Sequence, residues 1–243
     1  MTISRFKFLT DVAENSPFTP QYAEDILVRI AHHSAAIEGN TLTVSDTITL
    51  LIDDLTPSAG RPMKDLYEVA NHREALATVI THAFGTDKLS TGFIRLVHQE
   101  LLDHIMEDRG KWKSTGNAIL GAKIDTAPPE KVPWLMEQWA ENASWQADNI
   151  QPEYFARAVA DAHADFEQIH PFADGNGRTG RMLLMWQSLR ATGIPIIIEV
   201  EQRERYIKAL RDNDRDDLAA LVAQQWAVER DRAASFGVQI GES

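Results

Sequence analysis

The chain has 243 residues, 44% of them apolar, with 24 basic against 36 acidic side chains and a formal net charge of −12. This length suffices for one sizeable domain or two small ones with a real core, and the apolar share excludes a disordered chain. The acidic balance argues against nucleic acid as a partner, and the lack of cysteine excludes disulfides and cysteine-bound zinc and fits a reducing, cytoplasmic setting. Met1 to Asp11 holds no apolar core of signal-peptide length, and no apolar run approaches the roughly 18 residues of a membrane span, so no membrane partner is expected.

Residues 1–20 read as a short mixed segment, with Phe6, Phe8 and Leu9 available to dock on the core. Tyr22 to Glu38 has helical spacing, with Ile26, Ile30, His33 and Ile37 on one face, and Gly39-Asn40 supplies the usual C-terminal stop. Glu38 then falls in the last turn, where the helix dipole disfavours a carboxylate unless a cation partners it. Thr43 to Leu55 is a further helical pattern, and Thr43 with Asp46 forms a capping pair. A loop at 56–62 leads into one long helix over 64–84, which carries Arg73 and His72 on or near its apolar face. Ser90 caps the next helix, which buries Phe93, Val97 and Leu101.

Residues 109–133 break the helical run with spread glycines and prolines; 118–120 and 123–125 are strand-like pieces around Gly121. A loop of this length in a compact domain is usually functional. Val132 to Ala147 is again helical, with Trp134 and Trp145 expected to be partly buried. Pro152 opens a helix with Phe155, Val159, Ala162, Phe166 and Ile169 on its apolar face; His163 in it is expected to pack. A helix over 176–192 ends at Gly193. The strand-like Ile194–Val200 follows, then a helical 203–211. A last helix has an acidic start at 214–217 and ends near Arg232, leaving Phe236 and the tail to fray.

Most of the chemistry lies between the 152–169 and 176–192 patterns, in His170-Pro171-Phe172-Ala173-Asp174-Gly175-Asn176-Gly177-Arg178-Thr179-Gly180-Arg181. The proline pushes His170 out of the helical region, and its imidazole titrates near neutrality, as a general base requires. Gly175-Asn176-Gly177 can turn tightly and present backbone N–H groups at a helix start, an anion site. Arg178 and Arg181, three apart, can both reach one polyphosphate. A single carboxylate, Asp174, suits magnesium, which takes phosphate oxygens and water as its other ligands. Singly these features are a helix end, a turn and a solvated face. Their joint occurrence between two apolar helices is what carries weight. Gly175-x-Gly177-x-x-Gly180 also matches a dinucleotide fingerprint, but a helix stands where that motif requires a strand.

The stretch resembles the Fic-domain signature His-x-Phe-x-Asp/Glu-Gly-Asn-Gly-Arg-x-x-Arg at every defined position. The resemblance runs from about Tyr22 to Trp226. It implies an all-α fold, a compact Fic-type helical domain with a short β-hairpin flap. Residues 1–62 would form an N-terminal helical region packed as one unit with a Fic core at 63–243. It implies an enzyme that moves AMP from ATP to a hydroxyl side chain of a protein. His170 would be the base, Gly175, Asn176, Gly177, Arg178 and Arg181 the phosphate cradle, and Asp174 the Mg2+ ligand.

Ser34-Ala35-Ala36-Ile37-Glu38-Gly39 resembles the inhibitory motif of self-inhibited members. By that resemblance Glu38, with Ser34 and Gly39, blocks Arg181. The flap, with Ile119, Leu120 and Gly121, would dock the target segment. Gly110-Lys111-Trp112-Lys113 resembles the Gly-x-x-Arg element before the flap, with Lys113 where arginine is common. Tyr206 would lie on the adenosine side. The partners implied are ATP and a target protein, with self-modification and homo-oligomerisation open. The rival functions are transfer of UMP, phosphocholine or phosphate, or removal of AMP, on the same scaffold. A rival of another class is a non-enzymatic nucleotide-sensing module.

Overall fold

The computed structural model describes residues 3–57, 60–117 and 126–238. Among them the chain forms eleven α-helices and no strand. They are α1 (Arg5–Asn15), α2 (Pro20–Ile37), α3 (Val44–Leu51), α4 (Met63–Ala70), α5 (His72–Phe84) and α6 (Thr91–Leu101), then α7 (Val132–Asn149), α8 (Phe155–Ile169), α9 (Asn176–Thr192), α10 (Arg203–Asp212) and α11 (Arg215–Ser235). The expected flap, with Ile119, Leu120 and Gly121, lies outside the described residues.

The helix starts follow from local chemistry. The Thr19 hydroxyl accepts from the Tyr22 N–H with Pro20 at the first helical position, and Ser90 caps α6 through the Phe93 N–H. Thr43 and Asp46 form the expected reciprocal capping box on α3. The stop at Gly39 is a left-handed turn, φ +95°, in which the Gly39 and Asn40 N–H groups return to the carbonyls of Ala36 and Ala35.

Helix α9 is the axis of the molecule. Every residue from Arg178 to Leu189 is buried, and α5, α6, α7 and α8 pack around it. Such a helix shows no amphipathic pattern because no face of it meets water. One apolar cluster joins Tyr22, Ile26 and Leu27 of α2 to Leu76 and Ile80 of α5 and Met182, Met185 and Trp186 of α9, so packing is continuous across residue 62. A second cluster places Ile37, Leu184, Ile196, Ile198, Tyr206, Leu218 and Leu221 on the other side of α9. Arg29 of α2 clasps the fully buried Glu229 of α11.

Several local expectations change. Residues 5–15 form a helix capped by Ser4, with Phe8 buried and Phe6 81% exposed. The pattern over 64–84 divides at Asn71, whose side chain turns away to the Leu101 and Asp103 carbonyls. Trp134 and Trp145 are 64% and 65% exposed, and Trp139 takes the core position on α7. Ile194, Ile196, Ile197 and Ile198 are buried but pair with no strand, so this apolar run is an extended connector. The last helix runs on to Ser235, and Phe236 packs on Tyr22 with ring centroids 5.4 Å apart.

Candidate active site

Helix α8 ends at His170, which adopts a left-handed conformation (φ 50°, ψ 61°) while its N–H still bonds the Phe166 carbonyl. Pro171 accounts for the exit, because it excludes the helical region for the residue before it. The left-handed geometry is unusual for a non-glycine residue and marks a strained position held by its surroundings. The imidazole Nδ1 lies 3.3 Å from the Glu167 carbonyl. A carbonyl only accepts, so Nδ1 carries the proton and Nε2 is left with its lone pair. Burial lowers the His170 pKa, the Lys113 ammonium lowers it further, and the Glu167 carbonyl and the Asp174 and Glu38 carboxylates oppose them.

The turn after His170 is fixed from several sides. The Phe172 N–H bonds the Asn176 Oδ1 at 2.9 Å, and the Asn176 Nδ2 returns to the Phe172 carbonyl at 2.9 Å. Asn176 is buried and spent on this loop lock. The Phe172 ring is fully buried and stacks on His98, 3.7 Å between centroids. His98 accepts from the Gly110 N–H at Nδ1, so its Nε2 donates to the Asp174 carbonyl at 3.0 Å. Burial holds this imidazole neutral, its pKa pushed down to about 4.

Gly175 begins α9 in a left-handed conformation, φ +76°, and a side chain there would meet Leu102 Cδ2 at 2.6 Å. A Cβ on Gly177 would collide with the Glu38 carboxylate, and one on Gly180 with Glu167. The three glycines thus serve different close approaches: a turn, a carboxylate over the start of α9, and the α8–α9 contact.

Both arginines of the stretch are buried and engaged. Arg181 donates from Nε to Ser34 Oγ at 3.0 Å, and from Nη2 to the Ser34 carbonyl at 2.9 Å and Glu38 Oε1 at 2.7 Å. Burial works to raise the Glu38 carboxyl, but Arg181 and then Arg178 more than offset it and hold it below the usual carboxylate range. Arg178 donates to Glu68 Oε1 at 3.1 Å. Glu68 in turn accepts from Asn40 Nδ2 at 2.9 Å, so the turn after Glu38 is tied to the partner of Arg178. Gly39 makes the sharp exit that leaves Glu38 facing Arg181.

Asp174 is set apart from this network. Its Oδ1 accepts the Gly175 N–H at 2.7 Å, its Oδ2 lies 3.9 Å from Arg178 Nη2, and the side chain is 62% exposed. One accessible carboxylate beside a helix start fits a hydrated divalent cation that shares phosphate oxygens. Among the described residues no group of three or more metal-binding side chains exists, so an all-protein cage is not available.

The structure therefore brings Ser34, Glu38, His170, Asp174, Gly175, Gly177, Arg178 and Arg181 together. It places Tyr206 behind Arg181, buried, its hydroxyl 2.8 Å from His163 Nε2, where it has no open face for an adenine ring. Sequence reasoning missed Glu68, whose i, i+4 spacing to Lys64 resembles an ordinary surface pair, and Glu167, a fully buried carboxyl whose pKa burial pushes up to about 8. His72 and Arg73, on or near the apolar face of the 64–84 pattern, are structural. His72 Nδ1 bonds the Glu68 carbonyl, and Arg73 gathers the Ile3 and Leu51 carbonyls with Asp54.

Comparison with known proteins agrees with this architecture. The Fic/DOC family model matches residues 88–188. The chain is 25% identical over 216 residues to a "Protein adenylyltransferase Fic" of Drosophila persimilis, covering 88% of this chain and 41% of that protein. It thus spans about two fifths of that curated relative. A Fic domain containing signaling protein from Bacteroides thetaiotaomicron superposes with a TM-score of 0.81 at 24% identity, over 98% of this chain and 99% of that one. The N-terminal Fic domain of a VirB-translocated Bep effector from Bartonella quintana, with bound ADP, gives 0.54 at 19% identity, over 69% and 87%. No helix among the described residues is long and apolar enough to cross a membrane. With the signature stretch at the junction of α8 and α9 and the fold shared along almost its whole length, this chain has the fold of Fic-domain proteins and matches the Fic/DOC family model over residues 88–188.

Proposed function

We propose that this chain is a self-inhibited protein adenylyltransferase, which moves AMP from ATP to a Ser, Thr or Tyr hydroxyl of a target protein. The observation that carries the reading is the convergence on the start of α9 of a neutral-tautomer histidine, two arginines and a competing carboxylate. ATP lays its phosphates over Gly175–Gly177, with Arg178 toward the β-phosphate and Arg181 toward the γ-phosphate. His170 Nε2 takes the proton of the acceptor hydroxyl. The freed oxygen attacks the α-phosphorus, the bond from that phosphorus to the α–β bridging oxygen breaks, and pyrophosphate leaves. Positioning and fixed charge supply most of the acceleration in such a transfer.

Asp174 is the residue that would hold Mg2+, which would supply positive charge to the nucleotide phosphates. Support for ATP as substrate comes from the names of the curated relatives and from the ADP-bound Bartonella domain.

Self-inhibition follows from competition for one guanidinium. Glu38 and a γ-phosphate both need Arg181, and Ser34 holds Arg181 toward Glu38. With Glu38 in place ATP binds in an unproductive pose and basal transfer is low. The target protein is unidentified, the chain itself is one candidate, and a homo-oligomer is compatible with this reading.

The deciding experiment is mass spectrometry of Glu38→Gly protein, alone and in lysate, after incubation with ATP and magnesium. AMP adducts that vanish in Glu38→Gly/His170→Ala are expected. ATP binding by both wild-type and Glu38→Gly protein with no adduct of any kind would instead favour the nucleotide-sensing module.

A further inference from the structure

One buried cation beside the site has no role in the scheme above. Lys113 is almost wholly buried, and among the described residues its ammonium pairs with no carboxylate. Its three donors are used on neutral oxygens: Asn117 Oδ1 at 2.6 Å, Thr126 Oγ1 at 3.2 Å and the Ile169 carbonyl at 3.3 Å. Its backbone N–H bonds the Pro171 carbonyl at 2.9 Å. Lys113 thus holds the residue before His170 with its side chain and the residue after it with its backbone. Asn117 extends the seam by donating to the Phe172 carbonyl at 2.8 Å, and Thr126 ties back to the Asn117 carbonyl at 2.6 Å. A buried lysine ammonium is costly unless something requires it there. The left-handed turn at His170 is strained and needs outside support.

We propose that Lys113 is a positioning residue for the transfer step, clamping the carbonyls on either side of His170 so that its Nε2 faces the acceptor hydroxyl as a free base. The clamp acts on His170 in two ways. Geometrically, the bond to Ile169 closes the last turn of α8 and fixes where His170 leaves it. Electrostatically, the ammonium is a positive charge near the imidazole and disfavours imidazolium. Among the described residues, the groups that act most on His170 are Lys113 on one side and the Asp174 and Glu38 carboxylates and the Glu167 carbonyl on the other. Among the described residues Lys113 is the side-chain cation in this set, so its loss removes one of the two influences, with burial, that lower the His170 pKa, and His170 titrates higher. Burial alone pushes the Lys113 pKa down to about 8, so the ammonium persists at neutral pH.

The inference rests on the reading of His170 as the proton acceptor, and its test separates the two. The histidine imidazoles are titrated by NMR in wild-type, Lys113→Gln, Lys113→Met and Lys113→Arg proteins, with His170 assigned from His170→Ala. Lys113→Gln keeps hydrogen-bond donors but no charge, and serves where Lys113→Met fails to fold. An upward shift of the His170 titration in the Gln and Met variants, with Lys113→Arg near wild type, is expected whether or not the protein transfers AMP. In the Glu38→Gly background the neutral variants should lose about 10- to 100-fold in kcat at neutral pH with the KM for ATP little changed. The acid limb of the rate profile should move to higher pH. An unshifted His170 titration, or a raised KM with unchanged kcat, overturns the role of Lys113. No transfer by Glu38→Gly protein, together with a shifted titration, refutes the transferase reading and leaves the clamp standing.

Discussion

Glu38 Oε1 lies 2.7 Å from Arg181 Nη2 although 143 residues separate the two in the chain. The carboxylate sits at the C-terminal end of α2, the wrong end for the helix dipole, and over Gly177 at the start of α9, the right end for it. It occupies the place where an anion is best received. On the proposed reading, a γ-phosphate can reach Arg181 only when this carboxylate gives way.

Removing the charge while keeping the shape should therefore tighten ATP binding. Glu38→Gln is expected to lower the Kd for ATP by about tenfold, measured by calorimetry, and Ser34→Ala to give a smaller shift in the same direction. The Glu38 pKa is held below its usual value. The stability from this pair is therefore present above the unfolded carboxyl value and lost as pH falls through the folded one. Unchanged ATP affinity in Glu38→Gln would show that the carboxylate and the phosphate do not compete.

Arg178 and Glu68 form a second pair, with side chains only 4% and 7% exposed. Replacing Glu68 by Ala leaves a buried guanidinium without its partner, which should cost about 3–5 kcal/mol of stability. Chemical denaturation reads the loss directly. A smaller effect from Glu68→Gln is expected, since an amide oxygen still accepts.

Gly175→Ala meets two obstacles at once, a left-handed backbone and Leu102 Cδ2 at 2.6 Å. A destabilisation of about 1–3 kcal/mol and loss of transfer in the Glu38→Gly background are expected. Unchanged activity would show that the start of α9 tolerates a shift of its first N–H groups.

Glu167 yields a pH dependence of the fold itself. Burial raises its pKa to about 8 from a model-compound value of 4.5, with Arg181 opposing the rise and Glu38 adding to it. Between those values the folded protein holds a proton that the unfolded chain has released. The stability from this group is full below the unfolded pKa and declines as pH rises through the folded one. Thermal midpoints of Glu167→Gln protein should fall less from pH 5 to pH 9 than those of the wild type.

The sequence by itself determined the segments in which chemistry and punctuation are contiguous. Residues 170–181 carry a proline that ends one helix, glycines that start the next, and the charges beside them. Gly39 ends α2 and Thr43 with Asp46 starts α3, because caps act over three or four residues. The resemblance of residues 34–39 to an inhibitory motif singled out Glu38.

Pairings between distant segments were decided only by the tertiary structure. Glu68 is 110 residues from Arg178, and in sequence its helical spacing to Lys64 describes an ordinary surface pair. Lys113 reads as a departure from an arginine until the fold sets its ammonium against Ile169 and its N–H against Pro171. Helix α1 escaped notice because Phe8 and Val12 are only two apolar anchors on a short helix. Tyr206 drew an adenosine role that its burial against His163 does not support. The physical reason is common to these cases. Periodicity and capping encode which face of a segment avoids water, whereas a buried polar or charged side chain is specified by the distant groups it meets, and those are fixed by packing around α9.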